Sequence, residues 1–216
     1  MMRFNAAAFD SFLGNIGQQV EWRRSYACAC LNPTTGQADP KHKLCNGKGR
    51  LWDPPKPTVV GVASQKVQAE WQAAGLWESG DMVLSVPQNS PLWEAGQFDR
   101  ILMRNSTDVF SQALLRGGPN ERLLFQVKSF TRCFWLDANR ELVEGGLPDV
   151  DSSGNLSWPR GGEPPPATQY SLTGDKFDEY WVFGAFPSDR NQHQGMRLPK
   201  KLIARKWDLF GRANVR

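Results

Sequence analysis

Residues 26 to 52, YACACLNPTTGQADPKHKLCNGKGRLW, hold three of the four cysteines of the 216-residue chain and one of its two histidines. The donors fall as C-x-C-x11-H-x2-C: Cys28 and Cys30, a turn-rich excursion, then His42 and Cys45. Two short-spaced donor pairs joined by a loop are what a tetrahedral zinc site requires. Gly47 and Gly49 follow the last donor, where the backbone must curl around a sulfur and positive φ is cheap only for glycine. Tyr26 and Trp52 bracket the stretch with aromatic surface, which predicts that it docks on something larger. A disulfide, or thiols that are simply reduced, stays open as an alternative. The cytosolic synthesis expected below favours the metal, because thiolates persist there and disulfides do not. Cys133, isolated between apolar residues in SFTRCFWLD, reads as a buried free thiol.

The rest of the chain reads as mainly β. Phe9, Phe12, Leu13, Ile16 and Val20 recur at three- and four-residue steps and predict an N-terminal helix within residues 1–20, weakened by Gly14 and Gly17. The zinc element and a stiff exit, DPPKP, fill residues 21–57. Residues 58–216 then give short β-branched and aromatic runs bounded by Gly, Pro, Asn or Asp: VVGVA, KVQAEWQA, DMVLSVP, FDRILMRN, TDVFSQALLR, ERLLFQV, FTRCFWL, YSLTG and EYWVFGAFP. Strands at this spacing without long helices between them predict an antiparallel β-barrel or sandwich. Residues 144–168 are rich in Gly, Pro and Ser and predict a long projecting loop or protruding hairpin with SSGN as its turn.

Nine tryptophans and twelve phenylalanines exceed what a core of this size needs, and such groups are enriched at interface centres. The net charge of +4 is uneven: residues 196–216 carry seven basic side chains against Asp208, leaving −2 for the remainder. In a final strand LPKKLIARKWDLF, Lys200 and Lys206 share one face while Lys201 and Arg205 share the other. Ile203 and Trp207 mark the second face as the packed one, so Lys200 and Lys206 are the expected more exposed pair, and Lys201 and Arg205 are expected partly buried in ion pairs. With Arg197 and Arg212 they are the expected contacts to DNA or an acidic partner. No run has the length or apolarity of a signal peptide or membrane span, so a cytosolic product without membrane contact is expected. The run Asp149, Asp151, Ser153, Gly154 imitates a calcium loop, but Arg160 stands where the bidentate Glu belongs. No G-x-S-x-G, P-loop or H-E-x-x-H occurs, and His193 is the one histidine left beside a ligated His42, so an enzyme is not expected.

The segment HKLCNGKG resembles one half of the C-x2-C-x-G-x-G repeat of the DnaJ chaperone family, with His42 in a cysteine place. A single copy argues for zinc rather than for chaperone work. Taken together, the N-terminal helix, the cysteine cluster, the β runs PLWEAGQFDRI and RCFWLDA, the loop ending PPPATQYSLTG, and the closing EYWVFGAFPSDR and RLPKKLIARKWDLFGR resemble a group of tailed-bacteriophage virion proteins of the head and neck. That resemblance implies a head-to-tail connector or neck (head-completion) protein. It would be made in the host bacterial cytoplasm and built into the virion as a cyclic ring, with structural zinc. The implied partners are further copies of itself, neighbouring neck, portal or tail proteins, and packaged double-stranded DNA. Two other readings stay open: another tail or baseplate component, and a zinc-containing nucleic-acid-binding protein.

Overall fold

The computed structural model describes residues 6–45, 47–63, 65–73, 75, 77–152, 154–186, 192–193 and 196–207. They fall into two compact units, one of residues 1–105 and 179–216, the other of residues 106–178. The architecture is mainly β and antiparallel, as the spacing of the short apolar runs predicts.

In the first unit, α1 (Ala6–Ile16) leads into β1 (Gln18–Arg23). The predicted helix therefore stops before Val20, which alternates with Trp22 toward the interior as strand residues do. Gly17 makes the junction: a Cβ there would collide with Val59 and the Leu13 carbonyl. Leu13 of α1 is buried, while Phe12 and Ile16 remain exposed. A small hairpin follows, β2 (Ser25–Ala27) with β3 (Arg50–Trp52), and then β4 (Lys56–Val62). The run KVQAEWQA is a helix, α2 (Gln65–Ala73), and not the predicted strand. Val67 and Trp71 stand four residues apart and both reach the same apolar cluster, a helical spacing that the short alternation Val67, Ala69, Trp71 disguised. Next come β5 (Met82–Val86), a short 3-10 helix (Pro91–Glu94) capped by Ser90, and β6 (Arg100–Leu115).

The second unit adds β7 (Val127–Leu136), β8 (Leu142–Glu144), β9 (Asp149–Val150) and β10 (Leu156–Ser157). The chain returns along β11 (Gln169–Ala185), passes the two-residue strands β12 (Gln192–His193) and β13 (Met196–Arg197), and closes with β14 (Lys200–Lys206). FDRILMRN and TDVFSQALLR are one strand, β6, and YSLTG and EYWVFGAFP are one strand, β11. Their polar middle residues looked like turns.

Strand pairing runs β14-β5-β4-β1-β6-β11-β7-β8, and β14 pairs β11 as well. Within the first unit the ladder β14-β5-β4-β1-β6-β11 thus returns to its start, a closed, barrel-like arrangement of six strands. Every one of the six feeds the same core: Val20 and Trp22, Val60, Leu84 and Val86, Ile101 and Met103, Tyr180 and Val182, Leu202 and Ala204. Residues two apart on each strand point the same way, so this list is the inward face of the ladder. Outside it, α2 lays Trp71 over Val83 and Ile203.

The second unit has a core of its own, with Phe110, Leu114, Leu123, Cys133, Trp158, Tyr170 and Leu172. Residues 144–168 contain the predicted hairpin, β9 paired with β10, and are anchored within the second unit. Trp158 is buried and its indole Nε1 donates to the Gly146 carbonyl at 3.0 Å, while Arg116 bridges Glu121 and Glu163. The predicted turn forms around Gly154, whose φ of +83° and contact with Leu123 leave no room for a side chain. Cys133 is a buried free thiol, pushed up by its burial and by Glu144. Among the described residues no helix is long and apolar enough to cross a membrane.

Candidate metal centre

The four predicted donors converge. One ligand atom from each of Cys28, Cys30, His42 and Cys45 lies within 4.8 Å of all the others. His42 Nδ1 is 3.5 Å from Cys28 Sγ and 3.4 Å from Cys45 Sγ, and Cys30 Sγ is 3.5 Å from Cys45 Sγ. Around a tetrahedral ion with zinc-like bond lengths, S···S edges are about 3.8 Å and S···N edges about 3.6 Å. Three of the six edges, at 3.4–3.5 Å, come close to these values, and with all four donors within 4.8 Å of one another the quartet can hold one metal ion.

Local backbone chemistry builds this geometry. Asn32 closes the excursion after Cys30: its side-chain oxygen accepts from the Thr34 and Thr35 N–H groups at 2.8 and 3.1 Å. Asp39 starts the turn that delivers His42, accepting from the Lys41 N–H on its side chain and the His42 N–H on its carbonyl. Gly47 and Gly49 have φ of +74° and +68°, as the sequence predicts. The Gly49 carbonyl accepts from the Cys28 N–H at 2.9 Å, which ties the two ends of the element together.

The thiols are already poised unequally. Burial pushes the Cys45 thiol up, but hydrogen bonds from His42, the Gly49 backbone and the other two cysteines outweigh it and bring it to about 6. Cys30 is pushed up to about 11 by burial and by its hydrogen bond to Cys45.

The element is fastened to the closed ladder by Trp52, whose docking the sequence predicts, and by residues it did not single out, Asp99 and Phe98. Asp99 is buried, and its carboxylate accepts from Trp22 Nε1 at 2.8 Å, the Ser25 N–H at 2.8 Å and the Gly96 N–H at 3.1 Å. Trp52 Nε1 donates to the Phe98 carbonyl at 3.0 Å, and its ring meets Trp207 edge-on at 5.2 Å. Lys48 and Arg100 sit over the Trp207 ring at 4.5 and 4.4 Å, and Arg50 sits over Phe98 at 4.2 Å. Tyr26, by contrast, stays half-exposed with its hydroxyl on Asp53. Replacing Asp99 by Ala is expected to leave Trp22 and two backbone donors without their acceptor. Each buried orphan costs about 1–3 kcal/mol, so the urea midpoint should fall clearly; an unchanged midpoint would show that Asp99 holds nothing together.

At the C-terminal strand Lys200, Lys201 and Lys206 are half-buried and Arg205 is buried, because both faces of β14 are packed: Leu202 and Ala204 inward, Ile203 against α2. Lys200 Nζ donates to the carbonyls of Trp93 and Ala95 at 3.3 and 3.5 Å. The stem of Lys206 lies against Gly80. Arg197 is exposed, pairs with Glu94 at 3.2 Å and stacks over Trp93. Arg212 lies outside the described residues. Arg205 is held in ion pairs with Asp81 and Glu78, as expected of its face.

The fold and the site define a class: an antiparallel β protein with a closed ladder and a three-cysteine, one-histidine knuckle pinned to it. No family model matches the chain, and a search of curated proteins returned no match.

Proposed function

We propose that this chain is a structural component of a tailed-bacteriophage virion, a ring-forming part of the head-to-tail connector or neck, with one structural zinc ion. Three thiols and an imidazole nitrogen in a compact tetrahedron are a zinc donor set, and four protein ligands leave no open position for a substrate or a catalytic water. Zinc would be held by Cys28, Cys30, His42 and Cys45 and would cross-link a 27-residue excursion too polar to hold itself. The protein then works by assembly and not by turnover, with copies of itself, neighbouring neck, portal or tail proteins, and DNA as partners.

The observation that carries the assembly reading is the distribution of exposed apolar side chains. Among the described residues, six of the eleven large exposed ones, Val109, Leu115, Leu124, Leu136, Leu142 and Leu147, lie in the second unit, which has 73 residues. Exposed apolar surface concentrated on one small unit is a feature of surfaces that meet other proteins. The head-and-neck assignment rests on the resemblance of the motifs, from the cysteine cluster to RLPKKLIARKWDLFGR. Negative-stain electron microscopy of the purified protein should show closed rings, and antibody labelling of particles should mark the junction of head and tail. Labelling confined to the baseplate would make it another tail component.

A zinc-containing nucleic-acid-binding protein is favoured by one observation: the first unit carries 19 basic against 12 acidic residues. In that case the affinity of the free protein for duplex DNA would fall steeply with salt.

A further inference from the structure

The second unit carries 7 basic against 10 acidic residues, a net charge of −3, while the first carries +7. Opposite charges on two parts of one chain favour contact between unlike surfaces of different copies. Two places on the molecule make that contact specific.

The first is the tip of the β7–β8 hairpin. Leu136 and Leu142 are register partners, so their side chains stand together on one face, and they are 55% and 50% exposed. β8 has three residues and ends the strand order, so its outer edge has no strand partner among the described residues. Beside Leu142, the exposed Glu141 side chain makes no ion pair or hydrogen bond among the described residues. The tip as a whole, residues 137–142, has two carboxylates against Arg140.

The second is the outer face of β1, β4 and β6. Arg23 stands directly opposite Arg100 in the β1–β6 register, an unfavourable juxtaposition of like charges. Arg100 is neutralised by Glu179 and Arg104 by Glu21. Arg23, half-buried, has no carboxylate within ion-pair distance among the described residues. Burial and then Arg100 disfavour its charged form, so an incoming anion would relieve it. Along the same face runs an open groove of about 470 Å³ lined by Gln19, Glu21, Pro57, Thr58, Val59 and Arg104. Pro57 and Val59 give the groove apolar lining, and Arg23 follows two residues after the lining Glu21 on the same face of β1.

We infer that copies of this chain join head to tail, the hairpin tip of one seating in the β1–β4–β6 groove of the next, with Leu136 and Leu142 over Pro57 and Val59 and Glu141 on Arg23. The inference rests on the assembly reading and names its two surfaces. Because the surfaces differ, each copy can give one and receive one, which generates a ring when the rotation closes.

Sedimentation velocity on the full-length protein tests it. Wild type should sediment as an oligomer at micromolar concentration. Arg23→Glu and Leu142→Glu should each sediment as folded monomers, with unchanged circular dichroism and at least tenfold weaker association. An equimolar mixture of the two should give a dimer and nothing larger, since only the intact tip of Arg23→Glu and the intact groove of Leu142→Glu can meet. Arg23→Glu combined with Glu141→Arg should regain oligomers. Where a glutamate unfolds the chain, Arg23→Gln and Leu142→Ser take its place. Variants that still form wild-type rings would overturn these surfaces and leave the ring standing. Monomeric variants whose mixture yields no dimer would overturn the head-to-tail arrangement. A wild type that stays monomeric would overturn both the surfaces and the ring. If such a monomer bound a short DNA duplex through Arg23, the groove would belong to a polyanion.

Discussion

Purified protein is expected to contain one zinc ion per chain, and Cys28→Ser with Cys45→Ser is expected to contain none. Structural zinc contributes on the order of 10–16 kcal/mol of apparent binding energy at neutral pH, so its loss should melt the element it cross-links. Elemental analysis gives the stoichiometry. Tryptophan emission gives the structural consequence, because Trp52 and Trp207 pack on each other at the base of the element. Cys133→Ser should change neither readout, since Cys133 lies in the core of the other unit. Loading should weaken as pH falls: ligating thiols must lose their protons, and Cys30, pushed up to about 11, still holds one at neutral pH. Metal-free wild type, or a double variant that keeps its metal, would defeat the site.

Arg205→Met is expected to destabilise the first unit by about 3–5 kcal/mol, the usual result of stripping one partner from a buried ion pair. Asp81 has a fully buried side chain that accepts from Arg205 Nε at 2.9 Å, Arg205 Nη2 at 3.0 Å and Trp71 Nε1 at 3.1 Å. Arg205 Nη1 also reaches Glu78 at 2.9 Å. Without the guanidinium, Asp81 is left as an uncompensated charge beneath α2. Adding Asp81→Asn should recover part of the loss, because a neutral amide can still accept from Trp71 and carries no charge to solvate. Arg205→Lys should rescue poorly, since an ammonium cannot make the two-pronged contact. Urea unfolding measures all of these; a loss below about 1 kcal/mol for Arg205→Met would mean that water reaches the cluster.

The metal donors were legible because their message is local. Four residues within 18 positions, with turn formers between them, have few ways to be arranged other than around a common point. The antiparallel β class was legible for the same reason, since alternation is a short-range pattern. Partners distant in sequence were not. Nothing in FDR shows that Asp99 will accept from Trp22, 77 residues earlier, or that Arg205 will find Asp81 across 124 residues. At residues 144–168 the turn formers announced the hairpin but hid its anchoring; Trp158, too large to leave in water, was the signal for that. At β14 alternation put Arg205 on the packed face but did not show that Lys200 would turn to internal use, on two carbonyls.

The grip of Asp99 on Ser25, and of Phe98 and Trp207 on Trp52, bears on how portable the knuckle is. A peptide cut out at residues 24–53 would keep every ligand yet lose the platform that sets the angle between its two ends. Part of the metal's affinity therefore belongs to the surrounding protein, and grafting the peptide onto another scaffold would leave that part behind. Drift in sequence should follow the same division. The exposed residues Pro33 to Thr35 can change composition at little cost, whereas Gly49 answers to the donor set and Ser25 and Trp52 to the ladder.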